Sequence, residues 1–349
     1  MSRADKLREG LSENEAALIS SYPNIFYYSG FTSEDAFLLI SQDRQILVTD
    51  SRYTIQAREQ SPDFEVVDLQ RGFKDIFKMI NTSYIGYEED RMSVREYRRL
   101  RGKTGDRQEL VEMSKVINKP RRIKDEAEIG LIAQAEAIGD AAFSYILERI
   151  EPGRSEKEIA LELEFFMRRQ GASGLSFETI AASGARSAMP HGAASDKPVE
   201  SGDFLTLDFG CVYKGYCSDM TRTVAVGSVT DEMREVYDTV LRAQTAAIDA
   251  IAVGKKCSDI DGAARKIITD AGYGKNFGHG LGHSVGIEIH ELPAFSPKSN
   301  DKVHSGNVIT VEPGIYLDGK FGVRIEDLVA IGDDGVRNLT HSPKELIIL

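Results

Sequence analysis

Apolar and polar positions along this chain follow two periods, and the dominant period changes part-way. Phe37-Leu38-Leu39-Ile40 and Gln45-Ile46-Leu47-Val48-Thr49 are short apolar runs joined by the turn-like Ser41-Gln42-Asp43-Arg44, which predicts a strand pair. A helical pattern follows over residues 52–60, and strands alternate with helices to about residue 115. Residues 115–124, with Lys119-Pro120-Arg121-Arg122, are basic and read as a solvated linker. This sets two expected domains, residues 1–118 and 119–349.

Past that segment the 3.6 period dominates. Ile138, Ala142, Tyr145 and Ile146 share a helical stripe that Glu151-Pro152-Gly153 stops. Ser155-Glu156-Lys157-Glu158 is a capping box that opens a second helix, closed by Gly171. Strand-like sequence follows at residues 203–209 and 217–226. The order then repeats about a hundred residues later, far beyond a solenoid period. Val236, Val240, Ala243, Ala247 and Ile251 mark a third helix; Ser258-Asp259-Ile260-Asp261 is the expected cap of a fourth, ended by Gly272. Strands return at residues 308–312 and 323–331. Two related halves facing each other within one α+β domain account for the repeat.

A length of 349 residues suits two domains, and 41% hydrophobic content supplies a core for each. The net charge of −12 argues against nucleic acid, which needs a basic face. No apolar run approaches the roughly 18 residues of a membrane span. The opening residues carry no signal-like apolar stretch, and Cys211, Cys217 and Cys257 are too few for a disulfide framework. A cytoplasmic protein is the expectation.

The repeat places acids in matched settings. Asp208 and Asp219 flank a turn centred on Tyr213-Lys214, and Glu312 and Glu326 flank one centred on Gly319. In antiparallel hairpins each pair sits opposite or diagonal, within roughly 4.5–8 Å. Leu205-Thr206-Leu207-Asp208-Phe209 and Ile309-Thr310-Val311-Glu312-Pro313 set an acid inside an apolar strand, where a carboxylate is costly unless paired or metal-bound. Only Arg222 and Arg324 lie near enough in sequence to compensate, so divalent cations are the better balance. All six histidines lie at or beyond 191. Two of them occupy Gly278-His279-Gly280-Leu281-Gly282-His283, where glycines let backbone approach a ligand. One histidine added to four acids makes a hard, oxygen-rich site suited to Mn²⁺, Fe²⁺ or Co²⁺.

Over essentially its full length the chain resembles the aminopeptidase P and prolidase group of metallopeptidases. The resemblance implies a pita-bread catalytic domain with internal pseudo-twofold symmetry, preceded by a smaller creatinase-type α/β domain. Tyr28-Ser29-Gly30-Phe31 and Thr49-Asp50-Ser51-Arg52-Tyr53 match the latter. The implied metal ligands are Asp208, Asp219, His283, Glu312 in Val311-Glu312-Pro313-Gly314, and Glu326 in Arg324-Ile325-Glu326-Asp327. They would hold two divalent ions, Mn²⁺ as the expected pair with Co²⁺, Fe²⁺ or Zn²⁺ as alternatives. By the same resemblance His191 contacts substrate and relays protons. His279 and Arg324 belong to the substrate pocket, Arg324 also steadying a carboxylate, and His290 steadies the tetrahedral intermediate. His304 and His341 match nothing.

The activity implied is that of an Xaa-Pro aminopeptidase, an exopeptidase acting on peptides with proline second. A water shared by the two ions would attack the scissile carbonyl, with Glu312 as proton carrier. Xaa-Pro dipeptidase is the alternative, since both share every motif quoted. Methionine aminopeptidase would lack the N-terminal domain. A creatinase-type amidinohydrolase, or a binding protein retaining the fold, would not need all five ligands. A homodimer is implied as well.

Overall fold

The apolar runs of the N-terminal region become the middle of one six-stranded sheet. Its order is Glu65–Asp68, Gln45–Thr49, Ala36–Ser41, Glu15–Ile19, Tyr84–Tyr87 and Glu109–Glu112. The expected strand pair is there, with Leu38 opposite Leu47, and the helix that follows is Thr54–Gln60. Leu39, Val48, Phe77 and Ile85 fill the core beneath the sheet. This computed structural model describes residues 2–349, in two compact units that divide between Arg121 and Arg122.

Residues 115–124 are not a solvated linker. Ser114–Asn118 is helical and Lys119–Arg122 forms a 3₁₀ turn. Arg121 and Lys124 are only 6% and 4% exposed. Within the first unit Arg121 donates to Asn24 Oδ1 at 3.0 Å; within the second, Lys124 Nζ lies 3.1 Å from Glu291. Buried charge is tolerated when paired, and partners 97 and 167 residues distant are invisible in a local basic run.

The second unit carries the repeat. Helices Glu126–Leu147 and Glu156–Arg169, each opened by a capping box, precede strands Phe204–Phe209 and Met220–Ala225. Helices Asp231–Ala250 and Cys257–Asp270 precede strands Val308–Val311 and Asp327–Gly332. The fourth helix starts at Cys257 and has no side-chain cap. Asp261, expected in that cap, is instead buried within the helix, paired with Arg265 at 2.7 Å and accepting the N–H of Leu281. Each half has its own core. Phe143, Leu163, Leu205 and Phe209 belong to the first, and Val240, Ile260, Ile309 and Val329 to the second.

The halves are joined along their inner strands. Glu326 donates its N–H to the Thr221 carbonyl at 3.1 Å, and Thr223 donates to the Arg324 carbonyl at 3.0 Å. A segment beyond residue 338 crosses both halves. Its Thr340 donates to Glu136 and its Ser342 to Asp140 in the first; its Lys344 carbonyl accepts from Tyr237 in the second. Arg222, 1% exposed, fastens that segment by donating to the carbonyls of Ser342 and Pro343 while pairing with Asp327 at 2.8 Å.

Candidate metal centre

Strand register brings the four acids together. Asp208 faces Thr221 across the ladder, so Asp219 lies diagonal to it. The registers Val311↔Asp327 and Gly314↔Arg324 bracket Glu312 and Glu326, which therefore face each other. The tight turn of the first hairpin uses Lys214 and Gly215, both at positive φ (47° and 87°), as a two-residue connection requires. Asp208, Asp219 and Glu326 each present a carboxylate oxygen within 4.8 Å of the others. His283 joins them, its Nε2 3.4 Å from Asp219 and 3.6 Å from Glu312.

His283 sits where it does because the chain before it has no side chain. A Cβ on Gly282 would stand 1.9 Å from the Thr310 carbonyl oxygen. Gly210 plays the same part beside Asp208, where a Cβ would meet the Ser218 carbonyl at 2.0 Å.

Polar neighbours hold three of the ligand-type side chains. Arg324 donates to Asp208 Oδ2 at 2.5 Å, Thr221 to Glu326 at 2.6 Å and Thr310 to Glu312 at 3.2 Å. The backbone N–H of Asp219 donates to Glu136 at 3.2 Å. Arg324 commits further N–H groups to Thr221 at 3.0 Å, the Pro190 carbonyl at 3.1 Å and Tyr316 at 2.9 Å. Tyr316 also meets His279 Nε2 at 3.0 Å, while His279 Nδ1 faces the Gly280 carbonyl at 2.8 Å.

The electrostatics are those of a site built for cations. Burial, then mutual repulsion, holds Asp219 and Glu326 well above the usual carboxylate range; burial pushes Glu312 up to about 8. Burial lowers His283 to about 4, so its ring is neutral. Its Nδ1 points at the Ser284 carbonyl at 3.2 Å, which can only accept, so the proton resides there and Nε2 offers a lone pair. That lone pair faces carboxylate oxygens, and Asp208 Oδ1 is buried with no hydrogen-bond partner among the described residues. Lone pairs turned toward one another, with an orphaned carboxylate oxygen among them, are what a divalent cation would satisfy.

All nine residues singled out from the sequence line one cavity of about 550 Å³: the five ligand candidates, His191, His279, His290 and Arg324. His290 lies ring to ring with His283, centroids 4.4 Å apart. Sequence reasoning missed Glu136, Thr221, Thr310 and Tyr316. Glu136 carried a readable signal, an acid on the stripe Ile129, Ile132, Glu136, Gly139, Phe143. Tyr316 carried none, because a tyrosine on a hairpin strand is ordinary.

Residues 130–333 match the model of metallopeptidase family M24, and residues 3–123 that of the creatinase/prolidase N-terminal domain. The chain belongs to metallopeptidase family M24. As a member of it, the protein is a peptidase that uses divalent metal, with a pita-bread catalytic domain behind a creatinase-type one. This M24 peptidase is similar to a solved Xaa-Pro dipeptidase from Bacillus anthracis: 42% identity over 99% of each chain, TM-score 0.96. It is similar to an X-Pro aminopeptidase structure from Thermotoga maritima, at 41% identity over 100% of each chain and TM-score 0.92. A Pyrococcus furiosus Xaa-Pro dipeptidase is 38% identical over 99% of both chains. The M24 peptidase has no helix long and apolar enough to cross a membrane among its described residues.

Proposed function

We propose that this M24 peptidase removes the first residue of peptides carrying proline second, with Asp208, Asp219, His283, Glu312 and Glu326 holding two divalent ions, Mn²⁺ foremost. The observation that carries the reading is the cavity's chemistry: carboxylates and a neutral imidazole converge, and the one guanidinium among the lining residues is already bonded to Asp208. When bound, the ions supply Lewis acidity and an activated water. The side chains supply the rest. Glu312 takes a proton from the attacking water and delivers it to the proline nitrogen. His290 donates to the carbonyl oxygen as charge develops on it, and His191 hydrogen-bonds the substrate and relays protons. His279 has both ring nitrogens engaged, so it orients Tyr316 and, through it, Arg324.

An Xaa-Pro bond offers no N–H for recognition. Apolar contact must replace it, and Phe177, Ile180, Pro190, Ile289 and Ala294 provide apolar wall for a pyrrolidine ring. The aminopeptidase reading is supported by what the lining lacks. Among the described residues no lysine or second arginine lines the cavity to receive the carboxylate of a dipeptide, which needs a partner once desolvated. The dipeptidase reading is favoured by the names of the Bacillus anthracis and Pyrococcus furiosus relatives. We further take the enzyme to act in the cytoplasm, which its three free cysteines fit, and as a homodimer, as its family resemblance implies.

The test is hydrolysis by Mn²⁺-loaded protein of an Xaa-Pro dipeptide beside a tetrapeptide sharing its first two residues. Preferred cleavage of the tetrapeptide at its first bond is expected. Cleavage of the dipeptide alone would establish the dipeptidase, and no cleavage of either would overturn both readings.

A further inference from the structure

Five acids line the cavity, and four of them are the proposed metal ligands. The fifth is Glu178. It lies two residues before Ile180, the register partner of Asp208, in the short loop with Phe177 between strands Gly174–Leu175 and Ile180–Ser183. Its side chain is exposed, and among the described residues it has no hydrogen-bond or ion-pair partner. Three of the other four acids are held by Arg324, Thr221 or Thr310, and the fourth, Asp219, lies 3.4 Å from His283 among the candidate ligands. Among the lining residues the only lysine or arginine is Arg324, so nothing within the cavity neutralises Glu178.

We propose that Glu178 is a specificity-determining residue that receives an ammonium group of the substrate's first residue. The inference rests on the Xaa-Pro exopeptidase reading. An exopeptidase substrate brings one ammonium at its α-amine, and a second when its first residue is lysine. Two divalent ions, the four buried carboxylates and Arg324 would sum to +1, which a hydroxide formed from the activated water would bring to zero. Glu178 is then the uncompensated charge on the cavity wall. A basic first residue gains there and an acidic one is repelled, which is how one wall charge separates substrates of equal size.

The experiment compares Lys-Pro-Gly, norleucine-Pro-Gly and Glu-Pro-Gly as substrates of Mn²⁺-loaded wild type and E178Q at low and high salt. Glu178 makes no hydrogen bond, so E178Q keeps the wild-type melting temperature. If the partner is the side-chain ammonium, wild type prefers lysine over norleucine by roughly two- to five-fold in kcat/KM, the scale of an exposed ion pair. E178Q brings that ratio to about one, as does high salt in wild type. If the partner is the α-amine, E178Q raises KM by a similar factor for all three peptides, leaving kcat unchanged. Wild-type constants for all three peptides in E178Q overturn this inference alone. No cleavage by wild type overturns the reading beneath it, and this inference with it.

Discussion

Arg324, from the second half of the catalytic domain, places its guanidinium 2.5 Å from Asp208 of the first half. The relation is mirrored, since Arg222 of the first half pairs with Asp327 of the second at 2.8 Å. Each half thus lends a buried arginine to an acid of the other. The two arginines do different work: Arg324 fixes a candidate ligand side chain, whereas Arg222 fixes the backbone at Glu326 and the start of the strand that follows it.

Replacing Arg324 tests the first of these roles. R324M leaves Asp208 without its cation and strands Tyr316, so a loss of roughly 3–5 kcal/mol in stability is expected. R324K retains charge but not the planar set of donors that reaches Thr221, Pro190, Tyr316 and Asp208 together. It should fold and lose about 10- to 100-fold in metal affinity or kcat/KM. Metal titration and steady-state kinetics on both variants check this.

The stripped protein should lose stability as pH rises through neutrality. Burial holds Glu136 and Glu312 at about 8 against ordinary values of 4.5, so across that span the native state keeps protons the unfolded chain has lost. Burial lowers His279 and His283 from 6.5 to about 4, which makes stability climb with pH in that lower window. The trends oppose one another below pH 6.5, and only the carboxyl trend remains from 6.5 to 8. Melting of EDTA-treated protein across pH 6.5–8 should show a falling Tm. Mn²⁺ should lessen the fall, because ligation stabilises deprotonated Glu312, while Glu136, outside the ligand set, keeps its share.

Asp219→Asn should move stability in opposite directions with and without metal. Asp219 is repelled by Glu326, Asp208 and Glu312, so the neutral amide relieves the stripped protein. Its backbone bond to Glu136 survives the change. The expected outcome is a higher Tm in EDTA and a smaller Tm gain on adding Mn²⁺. For wild type that gain corresponds to about 2.7 kcal/mol at a hundredfold excess over Kd. Calorimetry in both conditions decides it.

Gly282→Ala isolates backbone approach from chemistry. The added methyl meets a main-chain carbonyl, not the end of a flexible side chain, so the strand bearing His283 must move. A stability loss at or above the roughly 1–3 kcal/mol of overpacked cores is expected, together with loss of metal affinity. A Gly282→Ala variant with wild-type metal binding would separate His283 from the centre.

The repeat of helices and strands was readable because its signals are local: apolar periods, a capping box, terminal glycines. Asp208 and Glu312 were readable because a carboxylate inside an apolar strand breaks that local pattern, and Asp219 and Glu326 because they flank the same turns. What stayed hidden depends on distance in sequence. Lys124 looked solvated because Glu291 is 167 residues away, and Thr221 looked like any strand threonine because Glu326 lies 105 residues on. Glu136 stood on its helical stripe in plain view, yet its partners Asp219 and Thr340 arrive only with the fold.

The segment carrying Thr340, Ser342 and Lys344 also sets an order of events during synthesis. Helices from both halves, and the arginine between their inner strands, wait for residues made after everything they fasten. On a ribosome, where earlier domains fold as they emerge, the N-terminal sheet can be complete while the catalytic halves remain unlatched. The two catalytic halves therefore gain this latch only after translation has passed Lys344, later than every strand that carries a candidate ligand.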